Sequence, residues 1–147
     1  MTNWEECLAK TGCRITASRR AVAQVLLDTS APLSPQEMFE RGTLIHPKLG
    51  LVTVYRTLAL LESLGLVRRI HRDDGCHAYL PSSPGHRHAL ICRRCGRAVE
   101  FPGGDDLKAL ARRVEATTGF QVDDHLLQLV GLCPRCQDRQ SHGQVTG

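Results

Sequence analysis

No stretch of this 147-residue sequence approaches the roughly 20 consecutive apolar residues that a bilayer-spanning helix needs. Its start carries no charged-then-apolar leader pattern, so a reducing, cytoplasmic setting is expected and a disulfide framework is disfavoured. Neither a His-Glu-x-x-His helix signature nor a nucleophile elbow is present. A metal-dependent enzyme, with His86, His88 and His125 holding an ion and Glu100 as base, is therefore the weaker reading. Excess charge is missing from the second half. Residues 73–147 hold nine Lys/Arg against nine Asp/Glu, whereas residues 1–72 hold ten against six. The net charge of +4 thus belongs to the first half, where it suits a polyanion such as DNA or simply a solvated surface.

What the sequence does have is two Cys-x-x-Cys pairs, Cys92/Cys95 and Cys133/Cys136, with 37 residues between them. Four thiolates so spaced match a tetrahedral Zn²⁺ site, each short turn letting two sulfurs converge on one ion. The gap is longer than in a zinc ribbon, so the metal is expected to clip two separate elements of a folded domain. A thioredoxin-like redox pair would need only one such motif. Redox sensing through Cys7, Cys13 or Cys76 is a further competitor.

The first half reads as helices followed by a hairpin. Thr16 or Ser18 can cap a helix carrying Val22, Val25 and Leu26 to about Asp28. Ser34-Pro35-Gln36-Glu37 is a capping box with proline at the first helical position, opening a helix to about Leu44. A third helix is predicted from Leu51 to Leu64, with Gly65 placed to end it. Leu66–His71 and Cys76–Leu80, around Asp73-Asp74-Gly75, read as a β-hairpin. Helices joined by a short turn and followed by a hairpin make a winged helix-turn-helix.

On the Leu51–Leu64 helix, Leu51, Val54, Leu58 and Leu61 form the stripe expected to face the core. Thr53, Arg56 and Thr57 are expected opposite, with Tyr55 on the flank, so that a guanidinium, hydroxyls and an aromatic ring can reach base edges or phosphates. Arg14, on the Gly12-Cys13-Arg14 turn, suits a narrow minor groove, and Arg19 and Arg20 suit phosphate.

The second half reads as strands His88–Cys92 and Arg97–Phe101, an amphipathic helix over 105–118, and a strand-like run Phe120–Leu132. The expected class is α+β: a winged helix-turn-helix domain (1–81), a hinge (82–85), a small α/β metal-binding dimerisation domain (86–137) and a disordered tail (138–147). Too small to core itself, the second domain calls for an obligate homodimer. His86 and His88, two apart on an extended segment, point the same way and can share an ion. His125, with Asp105 or Asp106 at the start of the helix, can complete a shell for Zn²⁺, Fe²⁺, Mn²⁺ or Ni²⁺. A thinner cluster is His71, Cys76, His77 and Glu100.

Gly12-Cys13-Arg14-Ile15-Thr16, Arg19-Arg20 and Leu51-Val52-Thr53-Val54-Tyr55-Arg56-Thr57-Leu58 resemble the DNA-binding half of the ferric uptake regulator superfamily. His86 to Gly96 and Gly131 to Cys136 resemble its metal and dimerisation half. The resemblance spans about residues 5–137. It implies a homodimeric, metal-responsive repressor of palindromic operator DNA, with structural zinc on Cys92, Cys95, Cys133 and Cys136. Arg14 falls on the family's minor-groove residue, and Tyr55-Arg56 on its base-contacting pair. His86, His88 and His125 fall on a regulatory site whose helix carboxylate position is Leu107 here, so Asp105 or Asp106 must substitute. Glu100 falls on a second site that bridges the domains. Its usual histidines are replaced by Ala/Pro residues ahead of the second helix and by Ala89. Zinc-sensing relatives use a cysteine and a histidine from the hinge, parts that Cys76 and His71 or His77 can play. The resemblance is therefore closest to zinc uptake regulators, with iron-, manganese- or peroxide-responsive regulators as the alternatives.

Overall fold

The computed structural model describes residues 4–104 and 106–141. The chain opens with α1 (Trp4–Lys10), α2 (Ala17–Leu27), α3 (Pro35–Ile45) and α4 (Leu51–Ser63). A two-stranded antiparallel wing follows, β1 (Val67–His71) and β2 (His77–Pro81), with His71 opposite His77. Then come β3 (Arg87–Cys92), β4 (Ala98–Pro102), α5 (Asp106–Thr118), β5 (Gln128–Gly131) and α6 (Pro134–Ser141).

Local chemistry sets the helix boundaries. The Thr16 hydroxyl accepts from the Arg19 N–H at the start of α2. At α3 the Ser34 hydroxyl accepts from the Glu37 N–H at 3.2 Å, and the Glu37 carboxylate accepts from the Ser34 N–H at 2.7 Å. Gly65, at φ 69°, ends α4 in the left-handed region where a side chain is disfavoured. Helix α1 has no counterpart in the sequence reading. Its signal is modest: Trp4 and Leu8 at i, i+4, acidic Glu5 and Glu6 in the first turn, and Lys10 in the last.

The first half packs one core from Leu8, Val22, Leu26, Met38, Val54, Leu58, Leu61, Val67 and Tyr79. The turn between α3 and α4 closes because Gly42 has no side chain: a Cβ there would lie 2.5 Å from Leu49 Cδ2. Tyr79 exchanges two backbone hydrogen bonds with Leu33, tying the wing to the segment before α3. These elements form the winged helix-turn-helix.

In the second half β3 is central, antiparallel to β4 (Ala89 opposite Glu100) and parallel to β5 (Ala89 opposite Gln128, Cys92 opposite Gly131). The predicted strand Phe120–Leu132 shrinks to Gln128–Gly131, because residues 120–127 pair with no neighbouring strand among the described residues. Helix α6 runs to Ser141, so residues 138–141 of the expected disordered tail are helical, and 142–147 lie outside the described residues. Leu110, Val114, Phe120, Leu126, Leu129 and Val130 remain exposed, an apolar surface that one chain leaves uncovered. No helix is long and apolar enough to cross a membrane among the described residues.

Candidate metal centres and nucleic-acid interface

The two cysteine pairs meet because β3 and β5 run parallel, bringing Cys92 beside Gly131 and the second pair just beyond it. Gly96, at φ 75°, turns the chain so that its N–H donates to the Cys92 carbonyl. The N–H of Cys136 donates to the Cys133 carbonyl at the start of α6. All four sulfurs lie within 4.8 Å of one another. Cys95 Sγ stands 3.7 Å from Cys133 Sγ. A tetrahedral ion with Zn–S bonds of about 2.3 Å needs sulfurs about 3.8 Å apart, so the quartet fits zinc. Backbone N–H groups, first that of Cys133, pull the Cys92 thiol down to about 6. Burial, reinforced by the neighbouring thiols, pushes Cys136 up to about 12. The quartet thus holds thiolate and thiol side by side, and a zinc ion would displace the remaining protons.

His86, His88 and His125 form the second cluster. Their ring centroids are 4.7 Å (His86–His88), 4.8 Å (His86–His125) and 5.2 Å (His88–His125) apart. The Nε2 atoms of His86 and His125 are 3.1 Å apart. His88 is buried against Phe101; desolvation first, then the neighbouring His86, His125 and Arg68 charges, lowers its pKa. Its imidazole therefore stays neutral, the form that binds a metal. Gly103 makes room for the pair. A Cβ there would stand 2.0 Å from His86 Cδ2 and 3.0 Å from His88 Nε2. Pro102-Gly103-Gly104 was the only sequence sign of this close approach. Asp105 lies outside the described residues, and for Asp106 only its place at the first position of α5 is described.

The thinner cluster does not assemble. Cys76 is exposed, and the two metal-competent groups found among the described residues include none of His71, Cys76, His77 and Glu100. His71 and His77 do sit side by side, centroids 5.3 Å apart, as an exposed cross-strand pair. Glu100 is taken by other partners. Its Oε1 accepts from Arg68 Nε at 2.9 Å and the Ser82 hydroxyl at 2.8 Å, and its Oε2 from the Ser83 N–H at 2.9 Å. Burial alone would raise the Glu100 pKa, but the Ser83, Arg68 and Ser82 hydrogen bonds outweigh it and lower the value. Arg68, Arg87 and Gln128 went unremarked in the sequence because nothing local marks a partner that stands on a different strand.

On α4, Val54, Leu58 and Leu61 are buried and Leu51 is half-buried, as the stripe requires. Tyr55 and Arg56 are exposed and Thr53 is half-buried. Thr57 is buried instead, its hydroxyl donating to the Thr53 carbonyl at 2.7 Å. It lies on the flank of the stripe, close enough to be swept into the core, and it leaves the outward face to its neighbours. Arg14 is exposed in the turn before α2, and the Arg19 guanidinium donates to its carbonyl. Arg20 pairs with Glu5 at 3.2 Å, both exposed.

The ferric uptake regulator family model matches residues 10–130. The peroxide operon regulator of Bacillus subtilis (strain 168) is 32% identical over 139 residues, covering 93% of each chain. A solved zinc-bound manganese uptake regulator is 32% identical, with 88% of this chain and 97% of that one covered and a TM-score of 0.59. A zinc uptake regulator solved with zinc and DNA shares the fold at a TM-score of 0.77, 22% identity and coverage of 93% and 92%.

Proposed function

The chain belongs to the ferric uptake regulator family, and we propose that within it this protein is a cytoplasmic, zinc-responsive repressor. It is a metal-dependent transcription regulator, not an enzyme, and it acts on double-stranded DNA as a homodimer. The observation that carries the zinc reading is the His86–His88–His125 cluster. Three imidazoles converging on one point suit a tetrahedral ion completed by one further donor, for which Asp105 or Asp106 is the candidate. Nitrogen-rich sites bind Zn²⁺ more tightly than Fe²⁺ or Mn²⁺, and Glu100, the one hinge carboxylate of the thinner cluster, is engaged by arginine. Loss of the Cys76 set removes one argument for zinc but leaves this one standing.

The domain reading is residues 1–81 for DNA, 82–85 as hinge and 86–137 for metal and dimerisation. Tyr55 and Arg56 face the major groove from α4, with Thr53 beside them and Arg14, Arg19 and Arg20 on flanking backbone or minor groove. Two-fold symmetry presents two α4 helices to half-sites about one turn, roughly 34–36 Å, apart, so a palindrome is read. Zinc on the cysteine quartet secures the second domain; zinc on the histidines holds the arrangement that both helices need. The ion supplies geometry rather than reaction chemistry, and it shifts affinity only by binding the DNA-competent arrangement better than others.

The test is metal-resolved DNA binding by protein that keeps its structural zinc, on operator fragments selected from genomic DNA. Zn²⁺ should activate binding at free concentrations well below those of Fe²⁺ or Mn²⁺. Equal activation by all three would remove the zinc assignment and leave the metalloregulator.

A further inference from the structure

The carboxylate of Glu100 sits at the junction between wing and sheet with its side chain 7% exposed, gripped by guanidinium groups from both sides. Arg68 reaches it from β1 and Arg87 from β3, the Arg87 Nε lying 3.4 Å from Oε2. That Nε is buried and has no hydrogen-bond partner among the described residues, so its charge is balanced by the Glu100 carboxylate. Ser82 and Ser83, from the connecting segment, satisfy the remaining acceptor capacity of Glu100. A second attachment lies alongside. The Gln128 amide both accepts from the His71 N–H at 2.8 Å and donates to the His71 carbonyl at 2.7 Å, imitating one rung of a β-ladder across 57 residues.

We propose that the Arg68–Glu100–Arg87 triad, together with Gln128 on His71, is a metal-free clasp that holds the wing against the β3–β4–β5 sheet. Two guanidiniums stand where a hinge ion would. Both carboxylate oxygens already accept hydrogen bonds, and a divalent cation brought to Glu100 would meet two fixed positive charges. Removing either side of such a buried pair strands a charge, so the junction is held firmly while all partners are present.

The clasp is joined to the histidine site by the covalent chain. Arg87 lies between His86 and His88, and alternation along β3 sends the histidines to one face and Arg87 to the other. His125 precedes Gln128 by one short step into β5. An ion holding His86, His88 and His125 therefore fixes both the strand that aims Arg87 and the segment that delivers Gln128. These are positioning residues. The inference rests on the reading above that metal at the histidines favours one arrangement of the two halves.

Amide hydrogen exchange of the full-length protein tests this without DNA. The Ser83 and His71 N–H groups report the two attachments. Glu100→Gln and Arg68→Gln should each speed Ser83 exchange by about tenfold or more, and the double variant should be no faster than the single ones. Arg68→Lys should restore part of the protection. Gln128→Ala, which leaves the triad intact, should speed His71 exchange. Zinc added to the parent should slow both amides, and zinc per chain should be the same in every variant. Unchanged Ser83 exchange in both triad variants, or loss of one exchangeable zinc in Glu100→Gln alone, would overturn the clasp. Protected Ser83 in a parent whose DNA binding ignores metal would support the clasp and sink the functional reading instead.

Discussion

Gly103 lies against His86 so closely that a Cβ on the glycine would stand 2.0 Å from the imidazole Cδ2. His86 and His88 are therefore placed by the absence of a side chain on the turn after β4. Gly103→Ala should displace the His86 ring and weaken the exchangeable metal by about 10–100-fold, as loss of a ligand-orienting contact does. Calorimetric zinc titration reads this directly, and an unaltered second binding phase would mean that the histidines do not share an ion.

Cys133→Ser should lose one tightly held zinc per chain and, with it, the dimer, because the quartet joins β3 to the start of α6. Light scattering and metal analysis on the same sample decide it. A stable, zinc-free dimer would show that the second domain closes without the ion.

Neighbouring positions on α4 should separate cleanly. Arg56 is exposed, and Arg56→Ala should cost about 1–3 kcal/mol on the operator if it contacts a base edge. Thr57 is buried, so Thr57→Val should cost about 1 kcal/mol of stability and leave sequence preference as in the parent. Anisotropy on matched and mutated operators, beside urea denaturation, measures both; a base-preference change in Thr57→Val would contradict its burial.

Glu37 closes the capping box of α3 and pairs with Arg72 of the wing turn at 3.2 Å. Burial works against ionisation, yet the Ser34 and Arg72 interactions lower its pKa below the usual 4.5. A depressed carboxylate stabilises the fold above its unfolded-state value, and that contribution disappears as pH falls through the folded value. Glu37→Gln should thus be less stable than the parent at neutral pH, and the gap should close in acid, as pH falls from the usual 4.5 through the lower folded-state value. Thermal melts at both pH values check the sign, and a gap that widens in acid would refute the assignment.

Much of this was legible in the sequence where the signals are local. The capping box at Ser34, the Asp-Gly turn of the wing, the cysteine spacing and the His-x-His alternation each encode geometry within a few residues, and each stands where expected. Contacts that depend on long-range packing were not legible. Cys76 was assigned to Glu100 by its closeness to the hinge, whereas Arg68 and Arg87 arrive at that carboxylate from two different strands. Thr57 was placed outward by helical periodicity alone, although a flank position goes to the core when the neighbouring elements cover it. Residues 120–127 look strand-like by composition, but a strand exists only where β3 offers an edge to pair with.

Operator binding is proposed to be governed by an ion on His86, His88 and His125. The most direct measurement compares parent and His88→Ala, each with its structural zinc in place, in operator titrations across free Zn²⁺ concentration. The parent should gain affinity steeply as zinc rises, while His88→Ala should bind weakly throughout and retain about one zinc per chain. A variant that follows the parent's zinc curve would contradict the account.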